Sequence, residues 1–412
     1  MSKHDTYAAL DDFVDAHFDE QVRFVQELVR VPTDTPPGDN TPHARRTREL
    51  LAAFGFEAQA HEVPAALVHD YGLQSLTNLV VQRRYGPLGR IVALNAHGDV
   101  VPPGEGWSHD PYGGVIVDGK LYGRAAAVSK CDFSTFAFAT RALEAAGRPR
   151  AGGIDLLFTY DEEYGGLLGP GWLLEQGLTR PDLEIAAGFS YQVVTAHNGC
   201  LQLEAAVHGK MGHAAVPHTA VDALQAANRV LSALYEENRR LEQHRSAVKG
   251  ISHGYVNVGQ IAGGTNTNVV PGKVVLKIDR RMIPEEDPAQ VEAALRALIE
   301  RAATGLPGVR VEIRRLLLAH AMKPLPGNRP LVEALCRHAS AVFGEPVEAW
   351  GTPLYTDARL FSERGIPAVI YGAGPRTVLE SNAKRADEHI VLEDLRRATK
   401  VVARTLADLL GG

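Results

Sequence analysis

Apolar and polar positions along the chain follow two periods, and the change from one to the other divides it. Leu10, Phe13, Val14, Phe18, Val22, Val25 and Val29 recur at helical spacing, which predicts one opening helix that ends before Pro32. Pro36-Pro37-Gly38 reads as a loop, and a second helix is predicted over 42–54, stopped by Gly55. Leu79–Val81 and Ile91–Leu94 read as strands, and Val115–Val117 with Leu121-Tyr122 as a hairpin about Asp118-Gly119. A helix over 133–146, closed by Gly147, and a buried strand over 154–160 follow.

From residue 198 the pattern changes. Leu201, Leu203, Ala205 and Val207 alternate with polar neighbours, as on a half-buried antiparallel strand. A helix over 221–241, strands 254–261 and 274–283 around Gly263-Gly264, a helix over 288–303 and a strand over 309–318 complete a small α+β unit. A helix over 330–343, a strand over 368–371 and a helix over 392–410 come after it. The predicted fold class is α/β. An α/β domain with a central sheet, 1–197 and 320–412, is interrupted by a small α+β unit of ferredoxin-like element order, 198–319.

Composition narrows the chemistry. Of 412 residues, 45% are hydrophobic and 22% charged, the profile of a globular enzyme-sized chain. A net charge of −6 argues against a nucleic-acid partner. Cys131, Cys200 and Cys336 are too few and too far apart for a disulfide framework or a thiolate zinc site. Any metal would take His and carboxylate ligands, and 16 His make that worth testing. The first thirty residues carry acids throughout, unlike a signal peptide, and no apolar run suits a membrane span. The expectation is a cytoplasmic protein with no membrane partner.

Two motifs can carry chemistry. His97 and Asp99 stand two apart at the end of a strand, so both point the same way and the carboxylate can orient the imidazole. Asp161-Glu162-Glu163 ends the buried strand, where α/β enzymes place catalytic groups. Taken singly, each reads equally well as a surface pair or a solvated turn.

Together they are far more specific. HGDVVPPGEGWSHDPYGG, DGKLYGR, FTYDEEYGG, VHGKMGHAAVPH, GGTNTNVVPGKVVLKIDRRMIPEED, YTDARLF and GIPAVIYGAG follow one another in order. This series resembles the two-domain family of aminoacylase, acetylornithine deacetylase, succinyl-diaminopimelate desuccinylase and glutamate carboxypeptidase. The resemblance spans nearly the whole chain. It implies that the first domain, 1–197 and 320–412, is zinc-centred and catalytic with a mixed central sheet, and that the second, 198–319, is a lid that mediates homodimerisation. It gives His97 as a zinc ligand, Asp99 as the group that orients it, Glu162 as general base and Glu163 as ligand of the other zinc. In the lid it gives His213 as the group that polarises the substrate carbonyl, and Asn268 and Arg281 as substrate-binding residues, an Arg fork being suited to a carboxylate.

The chain also departs from that pattern. Val128 stands where the family has an Asp bridging both metals, Phe189 where it has an acidic ligand, and Lys384 where it has the last His. Of five direct ligands only His97 and Glu163 remain, with Asp132, one helical turn past Val128, as a further candidate. A zinc site needs three or four protein ligands, so no cofactor is expected beyond a single residual zinc. Lys384 is placed to neutralise Glu163 where a metal otherwise would, while Val128 and Phe189 fill space with apolar volume.

Three functions stay open on the sequence. The first is amide hydrolysis of an N-acyl amino acid or dipeptide-like substrate through Glu162, His97, Asp99, Lys384 and His213, with Asn268, Arg281 and Glu163 holding substrate. The second is metal-independent proton transfer on an amino-acid derivative, by a racemase, epimerase or lyase. The third is a non-catalytic protein that binds a small amino-acid-derived ligand. Cys131 replaces a usual Gly, and a small buried helix residue is preferred to a nucleophile there.

Overall fold

The computed structural model of the chain describes residues 3–411. They form two compact units. One takes in the chain up to Thr195, Pro324–Trp350 and Thr356 onward; the other is Ala196–Lys323 with Gly351–Tyr355. No helix among the described residues is long and apolar enough to cross a membrane.

The larger unit is built on an eight-stranded mixed sheet. From edge to edge its strands are Ala58–Glu62, Thr77–Arg84, Gly153–Thr159, Ile91–His97, Leu183–Ala186, Ala368–Ile370, Val193–His197 and Ala349–Thr352. Ile91–His97 runs parallel to both Gly153–Thr159 and Leu183–Ala186, which itself pairs in parallel with Ala368–Ile370. Thr77–Arg84 and Ala58–Glu62 extend one flank in antiparallel fashion. Every residue of Gly153–Thr159 is buried, so this strand reads as an apolar run and not as an alternation. Helices Lys3–Ala16, Lys130–Gly147, Arg329–Phe343 and Leu392–Leu410 pack together and share the unit's core. Parallel strands end at one edge of the sheet, and their carboxyl ends therefore gather the loops that begin at His97 and Tyr160.

The smaller unit places Gly199–His208 between Lys273–Met282 and Arg310–Ala319, with Tyr255–Gly263 outside Lys273–Met282. All of these pairings are antiparallel. Helices Ala223–Leu241 and Pro288–Thr304 cover one face and bury Leu201, Leu203, Ala205 and Val207, the alternating set. Asp222 starts the first helix by accepting the N–H groups of Leu224 and Gln225, and Asp287 starts the second through Gln290. The order is strand, helix, two strands, helix, strand.

Several expected boundaries differ. The opening helix is two, Lys3–Ala16 and Phe18–Val29, because His17 leaves helical geometry at φ −109°, ψ 12°. Its ring stacks on Phe13 at 4.0 Å, and the apolar period continues across the break, which hides it from the sequence. The helix expected at 133 starts at Lys130, since Lys130 and Asp132 are charged yet fully buried. The strands Ala58–Glu62, Leu183–Ala186, Val193–His197 and Ala349–Thr352 were not expected; they are short, and Glu62 and Glu184 break their apolar pattern.

Candidate active site

The loop ends of the larger unit bring His97, Asp99, Glu162, Glu163 and Lys384 together. Asp99 is the organising group. Its Oδ1 accepts the Glu162 N–H at 3.2 Å and its Oδ2 the Glu163 N–H at 3.0 Å, which ties two strand ends into one corner. The same Oδ1 lies 3.4 Å from His97 Nδ1, which also contacts the Asp99 carbonyl oxygen at 3.0 Å. Gly98 lets the chain pass between them, because a Cβ there would lie 2.5 Å from the Tyr160 ring. His97 Nε2 faces Glu162 Oε2 at 3.9 Å. That is too long for a hydrogen bond and short enough for one water oxygen to reach both.

Lys384 Nζ donates to Glu163 Oε2 at 2.6 Å. The side chain of Lys384 is half exposed and that of Glu163 nearly buried. Lys384, Asn382 and Asp387 all have left-handed backbone, at φ 62°, 53° and 56°. Non-glycine residues hold such angles only where the surroundings over-determine them. Here the Asp387 carboxylate accepts the Ser108 N–H at 2.9 Å and its hydroxyl at 2.8 Å. Glu388 Oε2 accepts the Lys384 N–H at 3.3 Å and Arg124 Nη1 at 2.6 Å, in an ion pair fully buried on both sides. Glu388 Oε1 accepts the Ala127 N–H at 3.3 Å, so one carboxylate anchors both the Lys384 loop and the turn before Val128.

The electrostatics follow from this crowding. Burial by itself would push the His97 imidazole down, but the carboxylates of Glu162, Asp99 and Asp357 outweigh it and raise it to about 10. His97 is then an imidazolium at neutral pH. Burial raises the Glu162 carboxyl to about 7; His97 and Lys384 pull against that rise and Glu163 adds to it. Burial lowers the Lys384 ammonium, yet Glu163 and Glu162 more than compensate and its pKa is raised.

Other residues singled out in the sequence lie elsewhere. Asp132 is buried and turned to the Ala373 N–H, which it accepts at 2.6 Å; a Cβ on Gly372 would lie 2.3 Å from its Oδ2. It joins two loops, and its carboxyl is near enough to His97 for the imidazole charge to act on it. Cys131 is buried, its thiol is pushed well above its usual range by desolvation, and it contacts the Ala127 carbonyl at 3.4 Å. In the smaller unit, His213 pairs with Val269 on a two-residue ladder, and the Ala214 N–H donates to Asn268 O at 3.0 Å. His213 Nδ1 accepts the Ala215 N–H at 3.1 Å, so in the neutral ring the proton sits on Nε2. Arg281 Nε donates to Asp279 Oδ1 at 2.7 Å, and its guanidinium lies 5.3 Å over the Tyr355 ring. Asp357, which accepts Asn95 Nδ2 at 3.2 Å and acts on His97, was not singled out. Its signal was present in YTDARLF, but no local spacing links residues 357 and 95.

The peptidase family M20/M25/M40 model matches residues 93–408. The chain belongs to this family, whose members are hydrolases. It is 30% identical over 392 residues to acetylornithine deacetylase of Myxococcus xanthus, covering 94% of this chain and 96% of that one. It is 28% identical over 395 residues to succinyl-diaminopimelate desuccinylase of Methylobacterium nodulans, covering 92% and 94%. Its fold is that of the di-peptidase Dug1p of Saccharomyces cerevisiae, with a TM-score of 0.78, 13% identity and full coverage of both chains. Among the described residues, no group of three or more His, Cys, Asp or Glu side chains is arranged to hold a metal ion.

Proposed function

We propose that this M20-family hydrolase cleaves the amide bond of an N-acyl amino acid or dipeptide-like substrate without a dinuclear zinc centre. The observation that carries the reading is the 2.6 Å ion pair between Lys384 and Glu163, an ammonium where the family pattern has a ligand histidine. The residues present do not fit two zinc ions. Val128 and Phe189 offer no donor, Lys384 is a cation, and each ion would need three or four ligands. At most one residual zinc is expected, because each metal position keeps only one of the family's ligands, His97 at one and Glu163 at the other.

In this reading Glu162 takes a proton from the attacking water as its oxygen bonds to the carbonyl carbon. A carboxyl near pH 7 is matched to that task and to returning the proton to the leaving amine. The developing oxyanion accepts a hydrogen bond from His97 Nε2–H, a charged donor in a nearly dry corner. Asp99 holds His97 and the Glu162 turn in register, and Lys384 keeps Glu163 neutralised. His213, Asn268 and Arg281 are the proposed carbonyl-polarising and substrate-binding residues of the lid, and the assembly is proposed to be a homodimer through that unit.

Two-base racemisation or epimerisation needs a proton-transfer group on each face of one carbon. His97 and Glu162 sit side by side at 3.9 Å, and the imidazole keeps its proton. That arrangement favours hydrolysis. Elemental analysis of protein purified without chelator, with turnover of N-acyl amino acids and dipeptides before and after chelation, tests the reading. One zinc or fewer per chain and chelator-resistant cleavage are expected. Two tightly bound zincs would overturn it. Deuterium uptake at the α-carbon without cleavage would put proton transfer in its place, and ligand binding without turnover would put a binding protein there.

A further inference from the structure

The strand Ile91–His97 loses one of its neighbours before it reaches the catalytic corner. On one side it pairs with Gly153–Thr159 as far as His97 opposite Thr159, and Thr159 O accepts the Gly98 N–H at 2.8 Å. On the other side the register with Leu183–Ala186 ends at Asn95 opposite Ala186, and Asn95 O accepts the Ala187 N–H at 2.8 Å. Residues two apart in a strand turn the same way, so His97 presents its N–H and C=O to the side where the strand has run out. Both are strong polar groups in a buried place and need partners. The Ser129 hydroxyl serves both: its Oγ accepts the His97 N–H at 3.1 Å and donates to His97 O at 2.9 Å.

Ser129 is itself held fast. It is buried, and its carbonyl accepts the Asp132 N–H at 2.9 Å where the helix Lys130–Gly147 begins. The next residue, Lys130, is fully buried; its N–H donates to Ala125 O at 3.0 Å and its Nζ to Val31 O at 2.8 Å. The loop after Val31 grips the same corner. Thr33 Oγ1 donates to Gly98 O at 2.6 Å, and Thr33 O accepts the Val100 N–H at 3.2 Å. We propose that Ser129 is a positioning residue, which fixes the His97 backbone and through it the imidazole that faces Glu162. This inference rests on the hydrolytic reading above. The one proton of the hydroxyl is spent on His97 O, so Ser129 is not placed to act as a nucleophile. What it sets is the 3.9 Å gap between His97 Nε2 and Glu162 Oε2, where the attacking water has to fit. Asp99 orients the ring, but it cannot hold the peptide from which that ring hangs.

The test is Ser129→Ala in the full chain, read three ways. Hydrogen exchange at the His97 amide should quicken by at least about tenfold, because the group that accepts its hydrogen bond is gone. The NMR signals of the His97 ring protons, assigned by their loss in His97→Gln, should shift or broaden. Those of His338, whose Nε2 meets Asp408 at 2.8 Å, should stay in place. On N-acyl amino acids kcat should fall about tenfold, with KM within about twofold of wild type, since Ser129 does not touch substrate. Unchanged exchange or an unmoved His97 ring would overturn the positioning role. So would wild-type kcat in a variant whose ring signals have moved. Signals that move at His338 as much as at His97 would show a general loosening of the fold and overturn it too. If the wild-type protein cleaves no amide, the hydrolytic reading falls alone, and the exchange and ring signals still decide whether Ser129 holds His97.

Discussion

Lys384 Nζ and Glu163 Oε2 stand 2.6 Å apart, an ammonium and a carboxylate paired at the loop ends of the larger unit. A carboxylate among other acids needs a cation nearby, and here the chain supplies one from its own sequence. The pair also reaches Glu162, because the Lys384 charge opposes the rise of that carboxyl.

Removing the ammonium should therefore show in the pH profile. In Lys384→Ala the Glu162 carboxyl should rise above its present value of about 7. Since the ionised form is the base, the acid limb of kcat/KM should move to higher pH. At pH 7 the loss should be roughly 10- to 100-fold. An unmoved limb would place Lys384 outside the catalytic field.

Restoring the donors should restore the metal. Val128→Asp, Phe189→Glu and Lys384→His combined with the native His97 and Glu163 would supply all five ligands of the family pattern. The triple variant should purify with up to two zincs per chain and become chelator-sensitive, while Val128→Asp alone should gain little. Elemental analysis of the four proteins (wild type, Val128→Asp, Lys384→His and the triple variant) decides this. Lys384→His with metal affinity no higher than wild type would count against the placement of Lys384.

Most of this was legible in the sequence, for reasons that can be stated residue by residue. Leu201, Leu203, Ala205 and Val207 alternate because one face of their strand is covered by helices and the other is not. His97, Asp99, Glu162 and Glu163 were readable because each lies within four residues of a strand end. The relations across the chain were not. Glu388 holds Arg124, Ala127 and Lys384 at once, and Asp132 turns to Ala373. Nothing in local spacing says which of several nearby loops a buried carboxylate will face, and Asp132 as a ligand candidate depended on just that.

The Arg124–Glu388 pair should matter for stability. Both side chains are 1% exposed, so removing one leaves the other charged and unpaired. Arg124→Met should cost about 3–5 kcal/mol in chemical denaturation. Glu388→Gln, which can still accept from Lys384 N–H, should cost less and lower kcat more than it raises KM. Equal, small losses in both variants would mean that the pair is not coupled to the Lys384 loop.

Homodimerisation can be tested at the lid sheet. Tyr255–Gly263 is its outermost strand on one side, nine residues long and without a charged side chain. Edges of that kind are open to pairing unless covered or charged. Ile261 is 52% exposed on this strand. If the strand is the dimer edge, Ile261→Lys should shift the sedimentation coefficient from dimer to monomer while leaving the far-UV spectrum unchanged. A wild-type monomer at micromolar concentration would remove the dimer proposal, and a variant that stays dimeric would move the interface to another surface of the lid.

The charge state of His97 has a consequence for stability that needs no substrate. Its pKa is about 10 in the folded protein, against about 6.5 in an unfolded chain. A raised value means that the folded state holds the proton more tightly. The stabilisation is present in full below about 6.5 and is lost as pH rises through about 10. Glu162, raised from 4.5 to about 7, acts in the same direction over a lower window, because the folded state keeps a proton that the unfolded state has released. The denaturation midpoint should therefore fall between pH 7 and pH 10. His97→Gln cannot carry the proton, so its curve should be flatter towards pH 10, while the Glu162 decline moves to higher pH because the His97 charge no longer holds that carboxyl down. A wild-type limb as flat as that of His97→Gln would show a neutral imidazole at pH 7. It would also take away the charged donor on which the proposed oxyanion contact depends.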